Sequence, residues 1–311
     1  MVKLNKILDY LEAHDSKIVL LHVNADIDAL ASAYALSKNF PSLVIGASES
    51  ISKAAKKLAT ELKLKIIIDP ELEKYKYSFV IDTATPAMLG KLKVKSPIVI
   101  DHHLRTKWRG AKLYYCDETK TSTSEIVWQI LKLKKAKLDK CTALALLSGI
   151  IADTGRFKRG SAETFKNVAE LLKIAKLKLE DIVTLTEEEP DFSMKIALLK
   201  GAQRVKYKTI NNKIIAWTTI GAFESTVAKA LLYLGADVAI VGRQKKEDFN
   251  IIVKAKENFS IHLGKLVREI GEKLNAQGSG HKGAAGIIGK GDVEKALDMC
   301  IENFLRLLRK S

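Results

Sequence analysis

Between residues 17 and about 185, short apolar runs alternate with segments whose apolar positions recur at helical spacing. The runs are KIVLLH, SLVIGA, KIII, YSFVID and PIVID; helical patterns begin at about residue 28 and near 52–62. Strands alternating with helices at such short intervals predict βαβ units and a mostly parallel sheet flanked by helices. Helical patterns then follow one another, from residue 122 through TALALLSGIIA and over 162–177. Ser122 and Glu125 have the spacing of a capping box at the first of these. The acidic, proline-bearing TEEEPD at 186–191 interrupts the pattern and leads into a helix from about 192 to 205. Beyond it the alternation resumes on a smaller scale, with NNKIIAWTTI, a helix near 225–234, DVAIVGR, FNIIVKA, a helix near 261–274 and a last helix from 293 onward. The expected architecture is α/β in two parts: a larger domain over 1–185, a helix-bearing linker over 186–205, and a smaller α/β domain over 206–311.

A length of 311 residues suits two domains, each able to bury its own core, and 47% hydrophobic with 28% charged residues excludes disorder. Lys and Arg total 52 against 36 Asp and Glu, a net charge of +16 that either attracts polyanions such as nucleic acid or reflects a Lys-rich solvated exterior. Cys116, Cys141 and Cys300 are odd in number and form no CxxC, which excludes a disulfide framework and a structural zinc site and suits a reducing cytosol. MVKLNKILDYLEAHD is amphipathic rather than signal-like, and the longest apolar run, near 143–152, is too short to span a bilayer. A cytoplasmic protein with no membrane partner is expected.

Chemistry concentrates where apolar elements end. His22, Asp26 and Asp28 follow KIVLL as H-x-x-x-D-x-D; Asp82 closes FVID; Asp101, His102 and His103 close IVIDHH; Asp153 follows LLSGIIA. Working residues in open α/β sheets sit just beyond the carboxyl ends of strands. Carboxylates gathered there repel one another and need cations, so the pattern reads as a two-metal site. Each residue alone has a plainer role: Asp26 or Asp28 as a helix N-cap, Asp82 as a turn opener, Asp153 at a helix stop. Their joint spacing is the specific signal. In GSGHKGAAG, from Gly278 to Gly286, successive backbone N–H groups could nest a phosphate beside His281, or the segment could be a surface turn. His14 and His262 lie on helical patterns and read as structural.

HVNADIDALASA, VIDT, IDHH, GIIADTGRF and GSGHKGAAG, in that order, resemble the motifs of the DHH phosphoesterase family, in the branch with a C-terminal DHHA1 domain that includes RecJ-type exonucleases and nanoRNases. The resemblance implies a DHH-like catalytic domain before the linker and a DHHA1-like substrate-binding domain after it. It implies that His22 and Asp26 hold one Mn²⁺, that Asp28, His102 and Asp153 hold another, and that Asp82 bridges them. Mixed carboxylate and imidazole donors suit Mn²⁺, and also admit Mg²⁺, Co²⁺ or Zn²⁺. Asp101 would orient His102, and His103 would face the scissile phosphate. Gly278, Ser279, Gly280 and His281 would contact a phosphate or sugar of the nucleotide held between the domains. Lys256, in Lys254-Ala255-Lys256, stands where many relatives carry Ser-x-Arg, replacing a bidentate guanidinium with a point charge.

The activity implied is hydrolysis of short or single-stranded RNA or DNA oligonucleotides to nucleoside 5′-monophosphates. A cyclic dinucleotide or 3′-phosphoadenosine 5′-phosphate hydrolase is the enzymatic alternative, and a non-catalytic nucleic-acid-binding replication scaffold the alternative of another class. A homodimer is compatible with any of these.

Overall fold

A computed structural model of the chain describes residues 2–103, 108–187 and 191–310. Residues 188–190 of the expected linker lie outside the described residues. The chain divides into two compact units, Met1–Glu188 and Glu189–Ser311.

The first unit is built on strands β1 (Lys17–Leu21), β2 (Leu43–Ala47), β3 (Ile67–Ile68), β4 (Tyr77–Ile81), β5 (Ile98–Asp101) and β6 (Leu113–Cys116). All pair in parallel, in the order β3-β2-β1-β4-β5-β6. Its helices are α1 (Val2–Glu12), α2 (Ile27–Asn39), α3 (Lys53–Glu61), α4 (Thr123–Leu133), α5 (Lys140–Asp153), α6 (Ala162–Ala175) and α7 (Leu179–Thr186). Every position of β1 is buried, as a strand covered on both faces requires. Alternate residues divide between two cores: Val19 and Leu21 join the large cluster beneath α2, α4 and α5, while Ile18 and Leu20 join Val80, Val99, Leu89 and Leu92 on the other face. At the amino end of β1, buried Lys17 donates its Nζ to the Ala13 carbonyl.

This strand order places the site. β1 leads to β2 on one side and has β4 on the other, so the winding direction reverses between β1 and β4 and a crevice opens at their carboxyl ends. The residues after β1, β4 and β5 flank that crevice.

Some expectations need correction. KIII shrinks to the two-residue β3, with Ile67 and Ile68 exposed, and LYYC forms a half-buried edge strand, β6, that no buried run had announced. His14 lies past the end of α1 rather than on it. The predicted capping box forms only in part. Ser122 Oγ accepts from Glu125 N at 3.3 Å, but the Glu125 carboxylate turns to Thr121 N (2.9 Å) and Asn167 Nδ2 (3.1 Å).

The second unit opens with α8 (Phe192–Gln203), the helix expected in the linker, which packs within this unit against α9 (Glu224–Tyr233). Its sheet contains β7 (Lys206–Ile210), β8 (Lys213–Thr219), β9 (Val238–Lys245), β10 (Asp248–Ala255), β11 (Gln277–Gly280) and β12 (Ala284–Lys290), ordered β11-β12-β10-β9-β8-β7. Only β8 and β9, joined through α9, run parallel. Helices α10 (Leu263–Lys273) and α11 (Val293–Lys310) complete it, and His262 caps α10, accepting Lys265 N on its ring at 3.3 Å. The glycine-rich motif is a hairpin rather than a loop, occupying β11, its turn and the start of β12. A Cβ on Gly278 would stand 2.3 Å from Val267 O, and one on Gly280 (φ +150°) 2.4 Å from Ala285 Cα. These glycines admit α10 and β12 to close backbone contact, a packing reason for residues first read as phosphate contacts.

Candidate metal centre

Four segments bring the acidic and imidazole side chains together at the crevice. The turn after β1 presents His22 and Asp26, and the first turn of α2 presents Asp28. Asp26 serves twice: as N-cap its Oδ1 accepts Ala29 N at 3.1 Å, and its carboxylate also lies among the cluster's donor atoms. Asp82, at the end of β4, has a left-handed backbone (φ +52°), a sparsely populated conformation for a non-glycine residue and one found at functional sites. Asp101, His102 and His103 end β5, and Asp153 ends α5.

Their donor atoms form overlapping groups, each within 4.8 Å: His22 with Asp26 and Asp82; Asp28 with His102 and Asp153; and Asp82 with His102 and His103. Asp82 and His102 link the groups. His102 Nε2 stands 3.1 Å from Asp153 Oδ2 and 3.5 Å from Asp82 Oδ1, yet it is buried and makes no hydrogen bond among the described residues. A buried nitrogen close to two carboxylates, aligned with neither, is the arrangement expected of donors facing a shared cation. The opposite ring nitrogens bear this out: His102 Nδ1 lies 3.3 Å from Lys120 O and His22 Nδ1 3.0 Å from Val23 O. Donating there, each ring leaves Nε2 bare for a metal. The side chains fit a divalent-metal centre, and a cavity of about 260 Å³ lined by Asn24, Asp26, Asp28, Ser52 and Asp153 adjoins it.

The electrostatics of the bare protein state the same need. Burial raises the Asp28 carboxyl well above the usual carboxylate range, and Asp82, Asp153 and Asp26 add to the effect. Burial, with Asp26 nearby, pushes Asp82 up to about 8. For His102 burial opposes the charge, but Asp153, Asp28 and Asp82 outweigh it and carry the imidazolium to about 9. Protons occupy the place of positive charge that cations would supply.

Asp101 was expected to orient His102. Instead its fully buried Oδ1 accepts the His103 ring at 2.8 Å, and meets His102 only through the backbone N–H, also at 2.8 Å. The His102 ring is held by the Lys120 carbonyl, because β5 turns sharply enough after Asp101 for the second histidine, not the first, to fold back over it. The Asp101 bond raises the His103 pKa. His103 is the more accessible ring of the two, its side chain 43% exposed against 13% for His102.

Sequence reasoning missed the amino end of α4. Thr123 N donates to Asp28 Oδ2 (2.6 Å), Ser124 N (2.9 Å) and Ser124 Oγ to Asp28 Oδ1, and Thr123 Oγ1 to Asp82 Oδ1 (2.8 Å). The N–H groups that a helix start leaves unpaired are given to a carboxylate about a hundred residues away in sequence. The Ser122 cap marked where α4 begins; nothing marked what it faces. In the second unit, Ser279 and His281 are exposed, and the Lys256 ammonium lies 3.5 Å from Asp237 Oδ1.

Known proteins share both the family and the fold of this chain. The profile of the DHH family, N-terminal domain, matches residues 17–150. An uncharacterised protein of Methanocaldococcus jannaschii is 30% identical over 98% of this chain and 96% of its own length. A probable bifunctional oligoribonuclease and PAP phosphatase, NrnA, of Streptococcus mutans is 29% identical over 64% of this chain and 64% of that protein. Among solved structures, an exopolyphosphatase-related protein from Bacteroides fragilis shares the fold with a TM-score of 0.73 at 17% identity, covering 99% of this chain and 98% of the other.

Proposed function

The chain belongs to the DHH phosphoesterase family, and from that premise we propose that it is a Mn²⁺-dependent phosphodiesterase of the exonuclease type, releasing nucleoside 5′-monophosphates from short or single-stranded oligonucleotides. The observation that carries the reading is the convergence of six side chains into two donor groups meeting at Asp82 and His102. His22, Asp26 and Asp82 would hold one cation, and Asp28, His102 and Asp153 the other, with Asp82 shared. When bound, such a pair supplies Lewis acidity to phosphoryl oxygens and a more acidic water. Carboxylate and imidazole donors without thiolate suit Mn²⁺.

The chain's own groups do the rest. Asp101 fixes the His103 ring through Nδ1–H and favours its charged form. His103 Nε2–H is then available to a phosphoryl oxygen as negative charge develops on it. Thr123 and Ser124 hold the Asp28 and Asp82 carboxylates in place. The net charge of +16 favours a polyanionic substrate, and the Streptococcus mutans relative is named for two nucleotide-directed activities. The second unit would bind substrate through Ser279, His281 and Lys256.

The test is a digestion series with Mn²⁺: 5′- and 3′-labelled RNA and DNA of graded length, beside a cyclic dinucleotide and 3′-phosphoadenosine 5′-phosphate. Linear oligonucleotides should shorten from one end, and Asp82→Asn should reduce the rate at least about 100-fold, as loss of a metal-site group does. Cleavage of the cyclic dinucleotide alone, or full activity of Asp82→Asn, would overturn the reading.

A further inference from the structure

After α5 the backbone does something its cap does not require. Gly155 takes a left-handed conformation (φ +60°) as the Arg156 N–H bonds back to Ile151 O at 2.9 Å, the usual way to end a helix. Arg156 (φ +58°) and Phe157 (φ +66°) then remain left-handed, which is sterically unfavourable for large side chains and persists only where surrounding contacts enforce it. Those contacts are present. Thr154 Oγ1 accepts Phe157 N (3.0 Å), Thr154 O accepts Arg159 N (3.0 Å), and the Arg159 guanidinium donates to the carbonyl of Asp153 at 2.6 Å.

The bent segment sets Phe157 against Phe165 of α6, ring centroids 5.5 Å apart and planes tilted by 34°. Phe157 leans on the core, whereas Phe165 is 51% exposed. Arg156, Lys158, Arg159 and Lys166 surround the ring pair in sequence and are exposed. Glu163 is paired with Lys120 at 2.6 Å and Glu187 with Arg156 at 3.2 Å. An exposed aromatic face with exposed basic residues beside it in sequence is the combination that single-stranded nucleic acids bind, one part taking a base and the other the backbone. Its attachment to the Asp153 carbonyl keeps it next to the candidate metal centre.

We propose that Phe165, backed by Phe157 and flanked by Lys158 and Arg159, is a stacking platform for a nucleobase of a single-stranded oligonucleotide whose reacting phosphate lies at the Asp82 cluster. This rests on the phosphodiesterase reading above and narrows it, since a platform beyond the reacting phosphate favours linear strands over small phosphate esters.

The test uses the full-length protein and three substrates: fluorescein-labelled pentanucleotides of RNA and of DNA, and bis(p-nitrophenyl) phosphate. With Mn²⁺, Phe165→Ala should lower the ratio of kcat/KM for pentanucleotide over the small diester by about 5- to 150-fold, the effect of losing one stacked base, and Phe165→Trp should restore it. Fluorescence anisotropy in EDTA should show the same weakening of pentanucleotide binding. A loss with only one of the two sugars supports the platform and identifies its strand. The platform is refuted if ratio and Kd stay within two-fold for both strands, or if both substrates slow equally, as a merely structural defect would make them. If the wild type cleaves neither substrate, the phosphodiesterase reading falls, and the anisotropy result alone then decides the platform.

Discussion

Gly149 lies in the interior of α5, where helix propensity by itself says that alanine should stabilise the protein by about 1 kcal/mol. The tertiary structure predicts the opposite sign. A Cβ at this position would stand 2.1 Å from Ser124 Oγ and 2.7 Å from Asp28 Oδ1. Rotating the serine away would relieve the first contact at the expense of its hydrogen bond to a buried carboxylate, a loss of about 1.5–3 kcal/mol, and would also break the 3.2 Å contact with Ser32 Oγ. The second contact remains and presses on a candidate metal donor. Overpacking of this kind costs about 1–3 kcal/mol, so Gly149→Ala should destabilise the first unit by roughly 1.5–5 kcal/mol after the propensity gain is subtracted. In a unit of this size each kcal/mol lowers Tm by about 2–4 °C. Thermal melts with and without Mn²⁺, together with Mn²⁺ titration by calorimetry, measure both effects; displacement of Asp28 should weaken Mn²⁺ binding about 10- to 100-fold, as loss of a positioning contact does. A variant as stable as the wild type or more so, with unchanged Mn²⁺ affinity, would refute the argument that Gly149 is there to make room for Asp28.

Two further outcomes follow from the charges. Asp28 and Asp82 titrate higher in the folded protein than when unfolded, and so does His102. Their contribution to stability is therefore complete below about pH 4 for the carboxylates and about pH 6.5 for the histidine, and is lost as pH rises through about 8 for Asp82 and about 9 for His102, with Asp28 losing its share in the same direction. Urea denaturation in EDTA should show the metal-free protein losing several kcal/mol between pH 5 and 9, with Mn²⁺ flattening the profile; rising stability over that range in EDTA would contradict the buried cluster. Asp101→Asn should remove the charge that favours the His103 imidazolium, so its NMR titration midpoint should fall; an unchanged midpoint would mean that the 2.8 Å contact does not govern the ring.

The alternation of buried runs with helical periodicity was enough to read an α/β fold, because a parallel strand must be apolar on both faces and a surface helix on only one. The metal-binding candidates were equally legible: aspartates and histidines ending apolar runs have few structural reasons to recur at four places in one chain. Other features depend on contacts between distant segments, which periodicity does not carry. β6 is a half-buried edge strand that no continuous apolar run announced, and the KIII run overstated β3, which pairs over only two exposed residues. That Asp101 holds His103 and not His102 depends on how the chain turns after β5, and that Thr123 and Ser124 serve Asp28 depends on where the start of α4 docks. That two glycines of GSGHKGAAG, Gly278 and Gly280, also make room for α10 and β12 against their backbone showed only in the packed structure. The sequence by itself determined which groups could bind cations, since that is a property of side-chain chemistry. Which oxygen faces which nitrogen, and which hydrogen bonds leave His102 Nε2 bare, only the packed structure decided, because those partners lie up to about a hundred residues apart and meet only when the chain is folded.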